Sequence, residues 1–374
     1  MSLTIARRRL TSQQLVTPTA TTPADVVHQL VAVQAQEYAS AKWALGQRAP
    51  ETTDDDVERA FAEGEILRTH VLRPTWHFVA PDDIRWLLAL TGPRVHTANA
   101  YMYRKVGLDA TVARRSRRVL VRALEGGHHR TRHELREALT RAGVATDGDM
   151  RVAYLLMHAE LDGVICSGPR RGKQFTYALL EERVPPARTR SEDEALAELT
   201  SRYFTSRGPA SVYDMAKWSG LTVTAVRRGV EAVRHTLLSE VVGDEALWFA
   251  HPPPMAPVRS QPVVHLLPIY DEYGSAYKDR SAMASEEANS RLAAAGASVF
   301  THIITIDGKI VGGWKPRIER RAVTVSCELT RVLKPAEHRA LRTAMRGYAR
   351  FIGKPLTEGG PRPADDQTRV RRRA

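Results

Sequence analysis

Cysteine is nearly missing from this 374-residue chain, with only Cys166 and Cys327, far apart and without metal-ligand spacing. That scarcity argues against a disulfide framework and a cysteine-based zinc site, and with the latter goes a zinc-dependent deaminase. Long apolar runs are missing too. Hydrophobic residues make up 43%, but no stretch approaches the roughly 18 apolar residues of a membrane span. The opening Met1-Ser2-Leu3-Thr4 has no secretory apolar core, so a cytoplasmic protein without membrane attachment is expected. Acidic residues fall short of basic ones, 42 against 55, leaving a net charge of +13. From Gly359 onward five arginines face two aspartates, so this tail holds +3 of the total and the body keeps +10. Such a balance suits a polyanionic partner, and it equally suits an arginine-rich composition with no such partner.

What is present is a repeated pattern of two or three helices followed by a hairpin, seen three times. The clearest copy runs from Ser116 to Leu180. Val119, Leu120, Val121 and Leu124 give one helix, Gly126-Gly127 a break, and Thr131 with Glu134 a capping box that opens a second helix. Asp149 to Leu161 carries apolar residues at helical spacing. Val164 to Cys166 and Gln174 to Leu179 flank a turn bearing Arg170, Arg171 and Lys173, three cations placed to meet phosphate. A further copy, Glu192 to Ala250, has a capping box at Ser211 and Asp214 and an acidic hairpin turn at Asp244-Glu245, which suits a structural unit better than a phosphate contact. The first copy spans Leu10 to Val79. Thr22-Pro23-Ala24-Asp25 starts its helix, Ser40 to Arg48 and Asp54 to Phe61 follow, and Ile66 to Leu72 pairs with Thr75 to Ala80 around Arg73-Pro74.

Past Gln261 the pattern becomes mixed, with strands at Val263 to Leu267, Val299 to Ile306, Lys309 to Trp314 and Ala322 to Leu329, and a helix from Pro335 to Phe351. The expected architecture is α+β: tandem winged-helix units with a C-terminal β-rich part. Its divisions are 1–105, 106–187, 188–257 with the stiff proline-rich linker His251 to Pro257, 258–358, and a disordered basic tail 359–374.

Gln34 and Gln36, one residue apart, fall in the connection Gln34 to Ala39 between two helices. Within a helix their side chains would diverge by about 200°. At a break they become candidates for holding one small polar object, such as a water, from two sides. Arg68, His70, Arg73, Trp76 and His77 lie on the nearby hairpin, where strand alternation sets Arg68 and His70 on one face and Thr69 and Val71 on the other. Polar residues are expected to gather on one side of it. Trp43 and Trp76 equally suit core packing. Tyr270, Asp271, Tyr273, Tyr277 and Arg280 form a second polar-aromatic cluster, read either as DNA-facing or as a core tyrosine network with Asp271 paired to Arg280.

Gln34-Ala35-Gln36, Thr69 to Phe78, Leu266 to Tyr273 and Val311-Gly312-Gly313-Trp314, in this order, resemble the AlkZ-type bacterial DNA glycosylases. The likeness runs from about Leu10 to Ile352. It implies tandem winged helices in a C-shaped arrangement and excision of N-alkylated purines from double-stranded DNA, interstrand crosslinks included. A sister group carries Asp at the second glutamine position; Gln36 sets this chain with the Gln-x-Gln members. On that resemblance Gln34 and Gln36 are the catalytic pair. Arg68, His70, Arg73, Trp76, His77, Arg170, Arg171 and Lys173 are then DNA contacts. No metal or organic cofactor is expected, and a monofunctional, monomeric enzyme is. Two carboxylates usually serve glycoside hydrolysis, one of them to protonate the leaving group. A purine alkylated at N7 is already cationic and leaves without that proton, so neutral amides suffice to place water. The alternative is a non-catalytic winged-helix regulator that binds DNA.

Overall fold

The computed structural model describes residues 2–250, 261–284, 290 and 302–357. The linker His251 to Pro257, residues 299–301 of one expected strand, and the basic tail lie outside them. After an N-terminal helix α1 (Ser2–Ser12), the first unit runs α2 (Pro23–Leu30), β1 (Ala32–Gln34), α3 (Tyr38–Gly46), α4 (Asp54–Glu63), β2 (Leu67–Val71) and β3 (Arg73–Val79). Its strands pair in the order β1-β3-β2. A 25-residue helix α5 (Pro81–Lys105) leads into the second unit: α6 (Ala110–Leu124), β4 (Arg130–Thr131), α7 (Arg132–Arg141), α8 (Asp149–Leu161), β5 (Ile165–Arg171) and β6 (Gln174–Leu179). The order β4-β6-β5 repeats the first unit's topology. After the short α9 (Leu180–Arg183) come α10 (Glu192–Arg207), α11 (Val212–Ser219), α12 (Val223–Val233), β7 (Leu238–Val242) and β8 (Glu245–Phe249). Here a single bridge between Ala210 and Trp248 stands where β1 and β4 stand in the other two units.

The helix starts follow their local chemistry. Thr22, Thr53, Thr131, Ser191 and Ser211 each accept the N3 amide while an acidic residue at N3 returns a bond to the cap. Each such cap contributes about 1 kcal/mol. The long α5 had no counterpart among the expected elements, because Pro93 and Gly92 inside it look like breakers. Gly92 instead gives close approach to the second unit: an added Cβ would lie 3.0 Å from the Leu161 carbonyl oxygen.

The C-terminal part is a five-stranded sheet of β9 (Val264–Leu267), β10 (Ile303–Ile306), β11 (Lys309–Ile318), β12 (Val323–Leu329) and β13 (Leu356–Thr357), in the order β13-β12-β11-β10-β9. A short helix, Glu272–Ser275, follows β9, and Pro335–Phe351 packs on the sheet. This sheet shares one core with the first unit, where Trp43, Phe61 and Phe78 meet Trp314, Tyr348 and Phe351. A second core joins Ala32, Leu67 and Val79 to α5 and to Leu199, Tyr203 and Trp218 of the third unit. The small sheet β1-β3-β2 is thus sandwiched, Val33 and Phe78 facing one core and Ala32 and Val79 the other. The second unit keeps an apolar core of its own around Leu120, Leu135 and Leu156.

Candidate active site

Gln34 is the last residue of β1 and not part of a loop, as the sequence had suggested. Val31 makes the difference. Its φ of 65° and ψ of −51° turn the chain sharply out of α2 and straight into an extended strand. Ala35 continues the pairing by donating its N–H to the Trp76 carbonyl at 2.7 Å, and Gln36 follows at a bend just past the strand. Both amides are held from β3. Arg73 Nη2 donates to Gln34 Oε1 at 3.3 Å, and the Trp76 backbone N–H donates to Gln36 Oε1 at 3.4 Å. These groups only donate, so the amide oxygens must face them. Gln34 is half-buried and Gln36 exposed.

The neighbouring hairpin does not gather its polar residues on one side. Gln34, His77 and Thr69 lie directly opposite one another across the three strands and so share a face, which Arg73 reaches from the start of β3. Arg68 and His70 occupy the other face, with Trp76 opposite His70. There they serve packing. Arg68 Nε donates to the Ala35 carbonyl at 3.0 Å and its guanidinium lies 4.2 Å from the Trp76 ring centre and 4.6 Å from that of Phe175. Burial brings its pKa down to about 10. His70 sits 4.3 Å from the Trp76 ring and bonds Glu160 through Nδ1 at 2.5 Å. Only a pattern of pairing, not period-two alternation, reveals which strand neighbours share the glutamines' face.

His77 donates from Nδ1 to the Thr75 carbonyl at 2.9 Å, leaving a buried Nε2 lone pair that no protein donor meets. Burial, with Arg73 adding to it, holds the imidazole well below its usual pKa and therefore neutral. Thr69 Oγ1, Thr75 Oγ1 and Arg73 Nε are likewise buried without a protein partner. Four orphaned polar atoms on one short hairpin mark a place built to meet water or a ligand.

Residues 27–351 match a family model described as DNA glycosylase AlkZ-like. The chain belongs to that glycosylase family. A relative from Streptomyces sahachiroi, an interstrand DNA cross-link repair glycosylase, is 26% identical over 352 residues, covering 90% of this chain and 94% of the relative. The solved structure of the Streptomyces sahachiroi DNA glycosylase AlkZ superposes with a TM-score of 0.78 at 21% identity, over 97% of this chain and 99% of that one. The two share their fold.

Within this glycosylase fold the second polar-aromatic cluster faces the core. Asp271 pairs with Arg48 through two 2.9 Å bonds, and not with Arg280, whose Nε donates to the Gly274 carbonyl. Tyr273 and Tyr277 are buried, their hydroxyls donating to the carbonyls of Gly308 and Arg207 at 2.8 Å. Tyr270, half-buried with a φ of 63°, makes the bend that delivers Glu272. Trp43 is a core residue as well, bonding the Leu266 carbonyl. In the hairpin of the second unit Arg170 pairs with Glu58 at 2.7 Å and the exposed Arg171 with Glu134 at 2.8 Å, which leaves exposed Lys173 as the cation of the turn without a carboxylate partner among the described residues.

Glu272 and Arg207 are what sequence reading missed. Both are fully buried, with Arg207 Nη2 2.6 Å from Glu272 Oε2, while Glu272 Oε1 accepts the Gln34 backbone N–H at 3.0 Å. Arg207 also donates to the Ala32 carbonyl. The pair thereby clamps the strand that carries the glutamines. The Leu266 to Tyr273 motif contained Glu272, but a carboxylate beside an aspartate in a loop looks like surface, and Arg207 at a helix end carries no signal of burial.

Proposed function

We propose that this chain hydrolyses the N-glycosidic bond of cationic N-alkylated purines in duplex DNA, of the N7-alkylguanine and N3-alkyladenine type, and that Gln34 and Gln36 place the attacking water. The observation that carries the proposal is the anchoring of both amide oxygens, two residues apart in the chain, by donors from β3. Each oxygen keeps a second lone pair for a shared water. In the reaction the water oxygen bonds C1′, the C1′ to base-nitrogen bond breaks, and its electron pair neutralises the cationic purine. The water's surplus proton passes to solvent. The free base leaves, and an abasic sugar remains, so no further strand cleavage is part of the step. The same amide oxygens stabilise positive charge that develops at C1′. Burial keeps His77 uncharged, so it adds no positive charge of its own beside that centre.

The exposed Gln36 suits an open groove, which a crosslinked base, unable to leave the duplex, requires. The description of the Streptomyces sahachiroi relative supports crosslink unhooking as a second activity. Lys173 and the basic body of the chain supply phosphate contacts, and bacterial chromosomal DNA in the cytoplasm is the fitting partner. Excision is measured on duplexes containing N7-methylguanine, a crosslink or uracil, with alkali revealing abasic sites. Gln34→Ala and Gln36→Ala should each slow release of the methylated base by roughly 10²-fold while duplex binding is retained. Comparable release of uracil, or loss of binding in step with rate, overturns the proposal. Selective binding of one undamaged sequence without base release favours a regulator instead.

A further inference from the structure

We infer that His96, His158 and Asp162 form a binding site for one divalent transition-metal ion of the zinc type, which staples α5 to α8. Among the described residues these three are the group of His, Cys, Asp and Glu side chains whose donor atoms all lie within 4.8 Å of one another. His96 Nε2 lies 3.1 Å from Asp162 Oδ1 and His158 Nδ1 lies 3.2 Å from Asp162 Oδ2. The two contacts end on different oxygens of one carboxylate, so they describe a bidentate Asp162 flanked by the two imidazoles, and each matches the ~2.8–3.4 Å that separates donors about 2.0–2.1 Å from one metal. Imidazole with carboxylate suits zinc and its neighbours over calcium or magnesium.

The surroundings fit as well. His96 uses Nδ1 to bond the Tyr103 hydroxyl at 2.9 Å, which leaves Nε2 turned to the carboxylate and fixes the ring, as outer partners of metal-bound histidines do. His158 and Asp162 stand one turn apart at the end of α8, so one helix supplies two ligands in a fixed relation. His96 comes from α5, the helix that leaves the first unit. The three side chains are partly exposed, at 25%, 23% and 36%, and His96 and Asp162 border a solvent-open cleft that also touches Arg85, Pro93 and Gly163. Water therefore has access to the remaining coordination positions. No local sequence signal announces the set, since the first histidine lies 62 residues before the second.

The test uses the full chain without an affinity tag, stripped with chelator and titrated with zinc(II) or cobalt(II) alone. The expected result is one ion per chain, visible cobalt(II) absorption that zinc abolishes, and a melting temperature that rises with zinc. His158→Gln and Asp162→Asn should each weaken binding by at least about tenfold, and Tyr103→Phe by less. Circular dichroism and metal-free melting report whether each variant folds; where Asp162→Asn does not, His96→Gln replaces it. Absence of saturable binding, or affinity unchanged in the ligand variants, overturns the inference. Base excision is not the readout, so the outcome is independent of the glycosylase proposal.

Discussion

At the scale of single residues, burial keeps the His77 imidazole neutral beside the Arg73 guanidinium. His77 is fully enclosed and its pKa lies well below the ordinary value, as burial also lowers that of His265. The sign of the consequence follows. The unfolded chain takes up protons at these positions as pH drops through about 6.5, and the folded chain does not, so stability is fully present above that pH and is lost below it. Each histidine contributes a slope of up to about 1.4 kcal/mol per pH unit. Urea unfolding at pH 7.5, 6.5 and 5.5 should show a falling midpoint, and His77→Asn should flatten part of the fall. A midpoint that holds from pH 7.5 to 5.5 contradicts this account. Residue identity was also the level at which the sequence was most legible for the glutamines and least for their support. The amide pair stood out by spacing alone. Arg73, Arg68 and His70 carried the same polarity, and only strand pairing separates the first, at the glutamines, from the other two, packed around Trp76.

At the scale of elements, β1 is three residues long and cannot hold its place by its own hydrogen bonds. It is fixed by the buried Glu272 and Arg207 pair and by the turn at Val31. Removing one partner of such a pair leaves an uncompensated buried charge and costs about 3–5 kcal/mol. Glu272→Ala should therefore lower the unfolding free energy by about that amount. The damage should reach excision too, because the Gln34 N–H loses its acceptor; Glu272→Gln, which keeps an acceptor oxygen for that amide, should recover more activity than stability. Equal losses in both variants would show that the carboxylate's hold on β1 does not matter to the glutamines. Capping boxes and apolar spacing made most helices legible, α7 and α11 among them. The helix α5 was hidden because Gly92 and Pro93 are local breakers, and tertiary contact with Leu161 is what makes use of the glycine. Strand β1 was hidden by its length.

At the scale of the whole molecule, the charge of +13 predicts that duplex affinity falls steeply with salt. Affinity should drop at least about tenfold between 50 and 200 mM salt, measured by fluorescence anisotropy on undamaged duplex. Lys173→Ala should make the logarithmic slope shallower by about one. Arg170→Ala should leave the slope nearly unchanged, because Glu58 already neutralises that cation. A slope near zero in the parent chain would reduce the net charge to mere composition. The threefold succession of helices followed by a hairpin was legible from periodicity and turn residues. The fusion of the first and third units with the C-terminal sheet was not, since cores between distant segments leave no local pattern. That fusion has a consequence for synthesis. The backbone amide of Gln34 meets its acceptor on Glu272, 238 positions later. A chain emerging from the ribosome thus carries both glutamines and the strand that pairs with them early, but the buried clamp behind Gln34 closes only once that glutamate has cleared the exit tunnel.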